Sequence, residues 1–206
     1  MTFVRACKLG CGVVAAVLLT ACSHPIVITP DIAKIERPAD AKPRVKANVG
    51  YYVDAAQREQ ERITPGGGGD KVSTKPYRDL EVGFYKMLTN VYENVTTLKS
   101  PSDQQAIQQN ALNYIVKPRI EPNSSSSSMM TWPPTYFTVD LVCEISDTSG
   151  RTIDTKRVVG KGNAEFSEFK NDFGLSGKLA MQDALLQMQK LLLEQAPAAP
   201  VPTAQR

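Results

Sequence analysis

Apolar and polar residues alternate along this chain with two different periods, and the period predicts the element. Val45, Ala47, Val49, Tyr51 and Val53 recur at every second position among mostly polar partners, which predicts a half-buried strand. From Tyr77 the spacing changes. Tyr77, Leu80, Phe84, Met87, Leu88, Val91 and Val95 follow i, i+3, i+4, i+7 and predict an amphipathic helix over 77–95. Pro76, Asp79 and Glu81 suit its N-terminus, where a missing donor costs nothing and negative charge meets the positive end of the dipole. Alternation returns at Phe137, Val139, Leu141, Cys143 and Ile145. The turn sequence Asp147-Thr148-Ser149-Gly150 follows, and a return strand over 151–161, extendable to Phe166, completes a hairpin. Ser176 offers a cap for a closing helix over 177–194. Its inner stripe is Met181, Ala184, Leu185, Met188 and Leu192, and its wet side is Asp183, Gln187, Lys190 and Glu194.

Weaker patterns fill the gaps. Ser102 or Asp103 caps a short helix reaching about Asn110, with Ala106 and Ile107 as its apolar contacts. Tyr114, Val116 and Ile120 share one face of a strand, and Pro118 assigns that strand to an edge. Gln57 to Lys75 reads as a long polar loop, and Asn123 to Ser128 as a low-complexity linker. The order is strand, helix, short helix, three strands, helix. The economical fold is α+β: a mostly antiparallel sheet of about four strands with two long helices packed on one face.

The N-terminus carries an address. Arg5 and Lys8 precede an apolar run from Leu9 to Leu19, too short to span a bilayer, which takes about 20 apolar residues, but suited to a secretory signal. Leu19-Thr20-Ala21-Cys22 resembles the bacterial lipobox, in which the signal is cut between Ala21 and Cys22 and that cysteine is lipid-modified. More than one acyl chain on Cys22 suffices for stable membrane attachment. The expected organisation is a signal peptide over 1–21, a proline-bearing tether over 22–44, one α+β domain over 45–194 and a disordered Pro/Ala tail over 195–206. Pro25, Pro30, Pro38 and Pro43 argue for the tether, although Ile26, Val27 and Ile28 could form a short edge strand.

Processing changes the composition. The chain has 24 Lys plus Arg against 21 Asp plus Glu; removing Arg5 and Lys8 leaves 22 against 21, with no basic footprint for nucleic acid. Cys7 and Cys11 leave with the signal and Cys22 carries the lipid, so Cys143 alone remains as a thiol and no internal disulfide is expected. The single histidine, His24, falls in the expected tether, which argues against a metal site or a histidine-dependent dyad.

The layout of lipobox, tether, strand, amphipathic helix, hairpin and long C-terminal helix resembles the YajG-type lipoproteins. It is also similar to the auxiliary lipoproteins of lipid-moving ABC transporters of the envelope. The resemblance implies an accessory lipoprotein facing the periplasm, without catalytic residues or cofactor other than the covalent lipid on Cys22.

The remaining motifs argue the same way. Gly66 to Lys71 lacks the Gly-Lys-Ser/Thr of a phosphate loop, and Asp70 sets a negative charge where phosphate would lie. Glu59 with Glu61, and Asp140 with Glu144, have no supporting constellation, and the serines at 124–128 have no histidine base. Met129, Met130 and Trp132 stand out: apolar side chains in a connection between strands form either a sticky tip for a protein or membrane, or a flap folded back on the sheet. The expected function is a non-catalytic, lipid-anchored scaffolding or accessory protein. It docks on an envelope complex, a transport complex among them. Ser23 after the anchor favours the periplasmic face of the outer membrane over the inner membrane or cell surface. The alternative is a module that binds a lipid or apolar ligand between helices and sheet.

Overall fold

The computed structural model describes residues 23–195. The expected signal peptide, Cys22 and the Pro/Ala tail from residue 196 onward lie outside the described residues. The elements run β1 (Ser23–Pro25), β2 (Val45–Tyr51), α1 (Ala55–Glu59), β3 (Arg62–Pro65), β4 (Lys71–Thr74), α2 (Pro76–Val91), β5 (Tyr92–Thr97), α3 (Gln104–Gln109), β6 (Tyr114–Ser125), β7 (Tyr136–Ser146), β8 (Thr152–Asn163), α4 (Phe166–Phe169) and α5 (Leu175–Gln195).

The class is α+β, but the sheet differs from the expected one. Five strands form a mixed sheet in the order β5-β2-β6-β7-β8, and a second, three-stranded sheet has the order β1-β4-β3. β6, β7 and β8 are an antiparallel meander, whereas β2 runs parallel to both β5 and β6. The fifth strand arises because α2 stops at Val91 and the chain continues extended, so Val95 reaches the core from a strand. Pro118 is not on an edge strand. β6 pairs with β2 only through Tyr114, Ile115 and Val116, and Pro118 lies past that overlap, where a missing donor costs no bond to β2.

Both long helices lie on one face of the large sheet. Leu80, Phe84, Met87 and Leu88 of α2 and Met181, Ala184, Leu185, Met188 and Leu192 of α5 are wholly buried with Val49, Val116, Ile120, Val139, Leu141 and Cys143. The expected inner stripe of α5 is thus the observed one. Ser176, expected as its cap, sits inside the helix, and its hydroxyl donates to the Pro134 carbonyl at 2.8 Å. α5 approaches β8 closely because Gly160 and Gly162 offer no side chain: a Cβ on Gly160 would lie 2.2 Å from the Ala180 carbonyl oxygen. The outer edge of β8 is capped there, with Asp183 accepting from the Lys161 amide at 2.8 Å. The opposite face carries a small cluster of Leu98, Ile107, Leu112 and Ile115, to which α3, N-capped by Asp103, contributes.

The segment after Ser23 is not a free tether. Ile28 and Ile35 are wholly buried in the main core, and the carboxylate of Asp79 accepts the Ile28 amide and the Thr29 hydroxyl, each at 3.0 Å. The prolines set extended backbone, and apolar burial holds it against α2. The expected loop over 57–75 is largely built as well: Asp54 and Gln57 form a capping box for α1, and β3 and β4 pair across the glycine turn.

Candidate functional site

The exposed apolar chemistry gathers where two loops meet. Gly68 and Gly69 turn the β3–β4 hairpin with φ of 64° and 91°, which only glycine adopts readily. The turn then docks on the connection between β6 and β7: Gly67 N–H donates to the Trp132 carbonyl at 2.8 Å and Gly68 N–H to the Ser128 carbonyl at 3.2 Å. A Cβ on Gly67 would lie 1.9 Å from the Thr131 carbonyl, so the approach itself requires glycine. The glycine run is therefore held by the chain's own second loop.

The serines expected as a linker have structural work. Asn123 to Ser125 belong to β6, and the Ser124 hydroxyl bonds to Thr64 Oγ1 and the Pro65 carbonyl at 2.6 Å each, which joins the two sheets. Ser126 Oγ accepts the Ser128 amide at 3.1 Å, and Ser128 Oγ accepts the amides of Met130 and Thr131 at 3.2 Å each. These side-chain turns fix the backbone so that Met129 and Met130 project outward, 87% and 93% exposed.

Met129, Met130 and Trp132 do not behave alike. Trp132 folds back, half-buried against the main core. Its ring stacks on His24 with centroids 4.3 Å apart and planes at 21°, and meets Phe173 at 4.9 Å. His24 Nε2 lies 3.8 Å from Asp70 Oδ2. Trp132, Phe173 and Asp70 border an open cleft of about 360 Å³ together with Met129, Met130, Phe166 and Phe169. The sequence pattern gave no weight to His24 or to the three phenylalanines. Phe166, Phe169 and Phe173 fall at i, i+3 and i+7, a helical spacing that the expected end of the β8 strand obscured.

Of the other singled-out residues, Glu59, Asp140, Glu144 and Cys143 are engaged in structure, while Glu61 stands exposed. Glu59 pairs with Lys75 at 3.0 Å and with Arg78, and Lys117 and the Thr152 hydroxyl hold the Glu144 carboxyl below its ordinary range. Asp140 takes both nitrogens of a bidentate Arg157 fork. Burial pushes the Cys143 thiol far up, out of the range where a thiolate forms. Among the described residues, no group of three or more His, Cys, Asp or Glu side chains could hold a metal ion, and no helix is long and apolar enough to cross a membrane.

No family model and no curated protein matches this chain. Among solved structures, a Xanthomonas campestris protein of the DUF330 family aligns with a TM-score of 0.46 at 11% identity, covering 83% of this chain and 90% of its own. A minor lipoprotein from Acinetobacter baumannii gives 0.43 at 10% identity, covering 72% and 93%. A neuraminyllactose-binding hemagglutinin homolog from Helicobacter pylori gives 0.43 at 11%, covering 77% and 90%. At these scores the likeness is one of outline, and function must be argued from the chain's own residues.

Proposed function

We propose that this chain is a non-catalytic, lipid-anchored accessory protein of the bacterial envelope. Acyl chains on Cys22 hold it to the periplasmic face of the outer membrane, and its folded domain docks on an envelope complex. The observation that carries this reading is the filled interface between helices and sheet. Leu80, Phe84, Leu88, Met181, Leu185 and Met188 are wholly buried against one another and the sheet. A carrier would invert that arrangement, with an apolar cavity inside and a polar surface.

Crosslinking the acylated chain in its own envelope, with conjugates identified by mass spectrometry, tests this. Discrete conjugates with an envelope protein are expected, and a chain that crosslinks to no protein contradicts it. One observation favours the ligand-binding alternative. A cleft of about 530 Å³ lies between Pro38–Lys42 and the last turns of α5, with Leu186 and Leu193 among its walls. Lipid released on denaturing the purified chain, and lost in Leu193→Glu, would transfer the assignment to that cleft.

A further inference from the structure

Ser23 and the apolar tip lie at the same end of the described domain. Ser23, the residue after Cys22, registers with Lys71 in the parallel pairing of β1 with β4. Lys71 follows the glycine turn, and that turn is bonded to the loop carrying Met129, Met130 and Trp132. Ser23, the residue that follows Cys22 in the sequence, thus lies beside this loop pair. His24, stacked on Trp132, ties the start of β1 to it.

The apolar patch is broader than the loop. Phe166 is 62% exposed and Phe173 47%, and both border the cleft with the two methionines. Val27, 59% exposed, extends the patch, because the Val27 carbonyl passes so close to Gly174 that a Cβ there would lie 2.1 Å from it. Five of the large apolar side chains that face solvent thus ring the point where the chain leads to Cys22. Phe173 leans on Trp132, a residue type favoured at the headgroup level of membranes.

We infer that this patch is a membrane-docking surface: Met129, Met130, Phe166 and Phe173 enter the outer part of the bilayer that holds the Cys22 acyl chains, with Trp132 at headgroup depth. The inference rests on Cys22 being acylated. An acyl anchor holds a domain near a membrane without setting its orientation. A second, apolar contact beside it fixes which side faces the lipid and leaves the rest of the domain turned toward the periplasm. Asp70, Glu165, Glu168 and Asp172 lie in or next to the patch in sequence, opposed by Lys71, Lys170 and Lys178, so no basic surplus recruits anionic headgroups. The contact is apolar in origin and should persist in phosphatidylcholine and in high salt.

Trp132 is the only tryptophan, which makes the test direct. The acylated full-length chain is reconstituted into phosphatidylcholine vesicles with lipids brominated at shallow or deep acyl positions. The fraction that floats with vesicles and the quenching of Trp132 are read separately. The expected result is complete flotation with strong quenching by shallow bromines at 0.1 and 1 M salt. In Met129→Ser/Met130→Ser, flotation should be unchanged and quenching lost. These side chains stand almost wholly in solvent, so the fold should survive, and an unchanged melting temperature confirms that. A chain that floats but shows no quenching overturns the docking surface and leaves the anchor intact. A chain that fails to float overturns the anchor and the docking surface together. Protection of Trp132 in native envelopes but not in vesicles assigns the patch to a protein and overturns the inference.

Discussion

Asp79 Oδ2 accepts the backbone N–H of Ile28 at 3.0 Å across 51 residues of sequence, and this bond fastens the segment that follows β1 onto α2. Burial raises the Asp79 carboxyl above its ordinary range, against the opposing pull of the Ile28 and Thr29 donors. The folded chain therefore keeps a proton at a pH where the unfolded chain has released it. Stability from this group is complete below the ordinary aspartate range and declines as pH rises through the raised value. Denaturant midpoints measured across that window should fall with pH in the wild type and flatten in Asp79→Asn. Asp79→Ala, which strands the buried Ile28 amide, should cost about 1–3 kcal/mol.

Gln189 should matter as much for the same segment. Its side chain accepts from Asn90 Nδ2 at 2.8 Å and donates to the Glu36 carbonyl at 2.9 Å, while Asn90 also donates to the Ile35 carbonyl at 3.0 Å. This network joins α2, α5 and the extended N-terminal segment. Gln189→Leu should lose about 1–3 kcal/mol, and trypsin should then cut after Lys34 before the rest of the domain.

The contact of α5 with β8 predicts a larger response to a smaller change. Gly160→Ala puts a methyl 2.2 Å from the Ala180 carbonyl and 2.4 Å from the Ala184 nitrogen, both backbone atoms of a helix that cannot retreat alone. Urea denaturation should show a loss of about 1–3 kcal/mol or more. The amide of Lys161 that Asp183 now holds should gain hydrogen exchange in the variant.

Cys143 has no exposed surface, and its thiol is held protonated. A maleimide should therefore leave the native protein unlabelled and modify it at the rate of global unfolding in denaturant. Chain extracted from membranes should titrate one thiol when unfolded, because the other three of its four cysteines are expected to be removed or acylated. Fast labelling of the native chain would contradict the packing.

The elements most legible in the sequence were those whose partners are close in the chain. The β7–β8 hairpin, the inner stripe of α5 and a cap for α3 at Ser102 or Asp103, which the structure gives to Asp103, all follow from local period and local chemistry. Parallel pairing of β2 with β5 is invisible to period, since it depends on α2 carrying the chain back across the sheet. Val95 shows how the helix was overextended: its i+4 spacing from Val91 holds equally for a strand, and the β-branched run Val95-Thr96-Thr97 was the better signal. At the site, Met129 and Met130 were legible as apolar residues without a core. Trp132 was legible as the flap folded back on the sheet, but its partners were not, because His24 and Phe173 lie 108 and 41 positions away. Proline count hid Ile28 and Ile35, whose burial needed Asp79 and Asn90 as long-range partners.

The proposed function requires Cys22 to be the membrane anchor, and the mass of the N-terminal peptide from chain purified out of membranes measures that directly. The expected peptide begins at Cys22 and carries acyl groups on that residue. An unmodified chain beginning at Ser23 or retaining Met1 would contradict it.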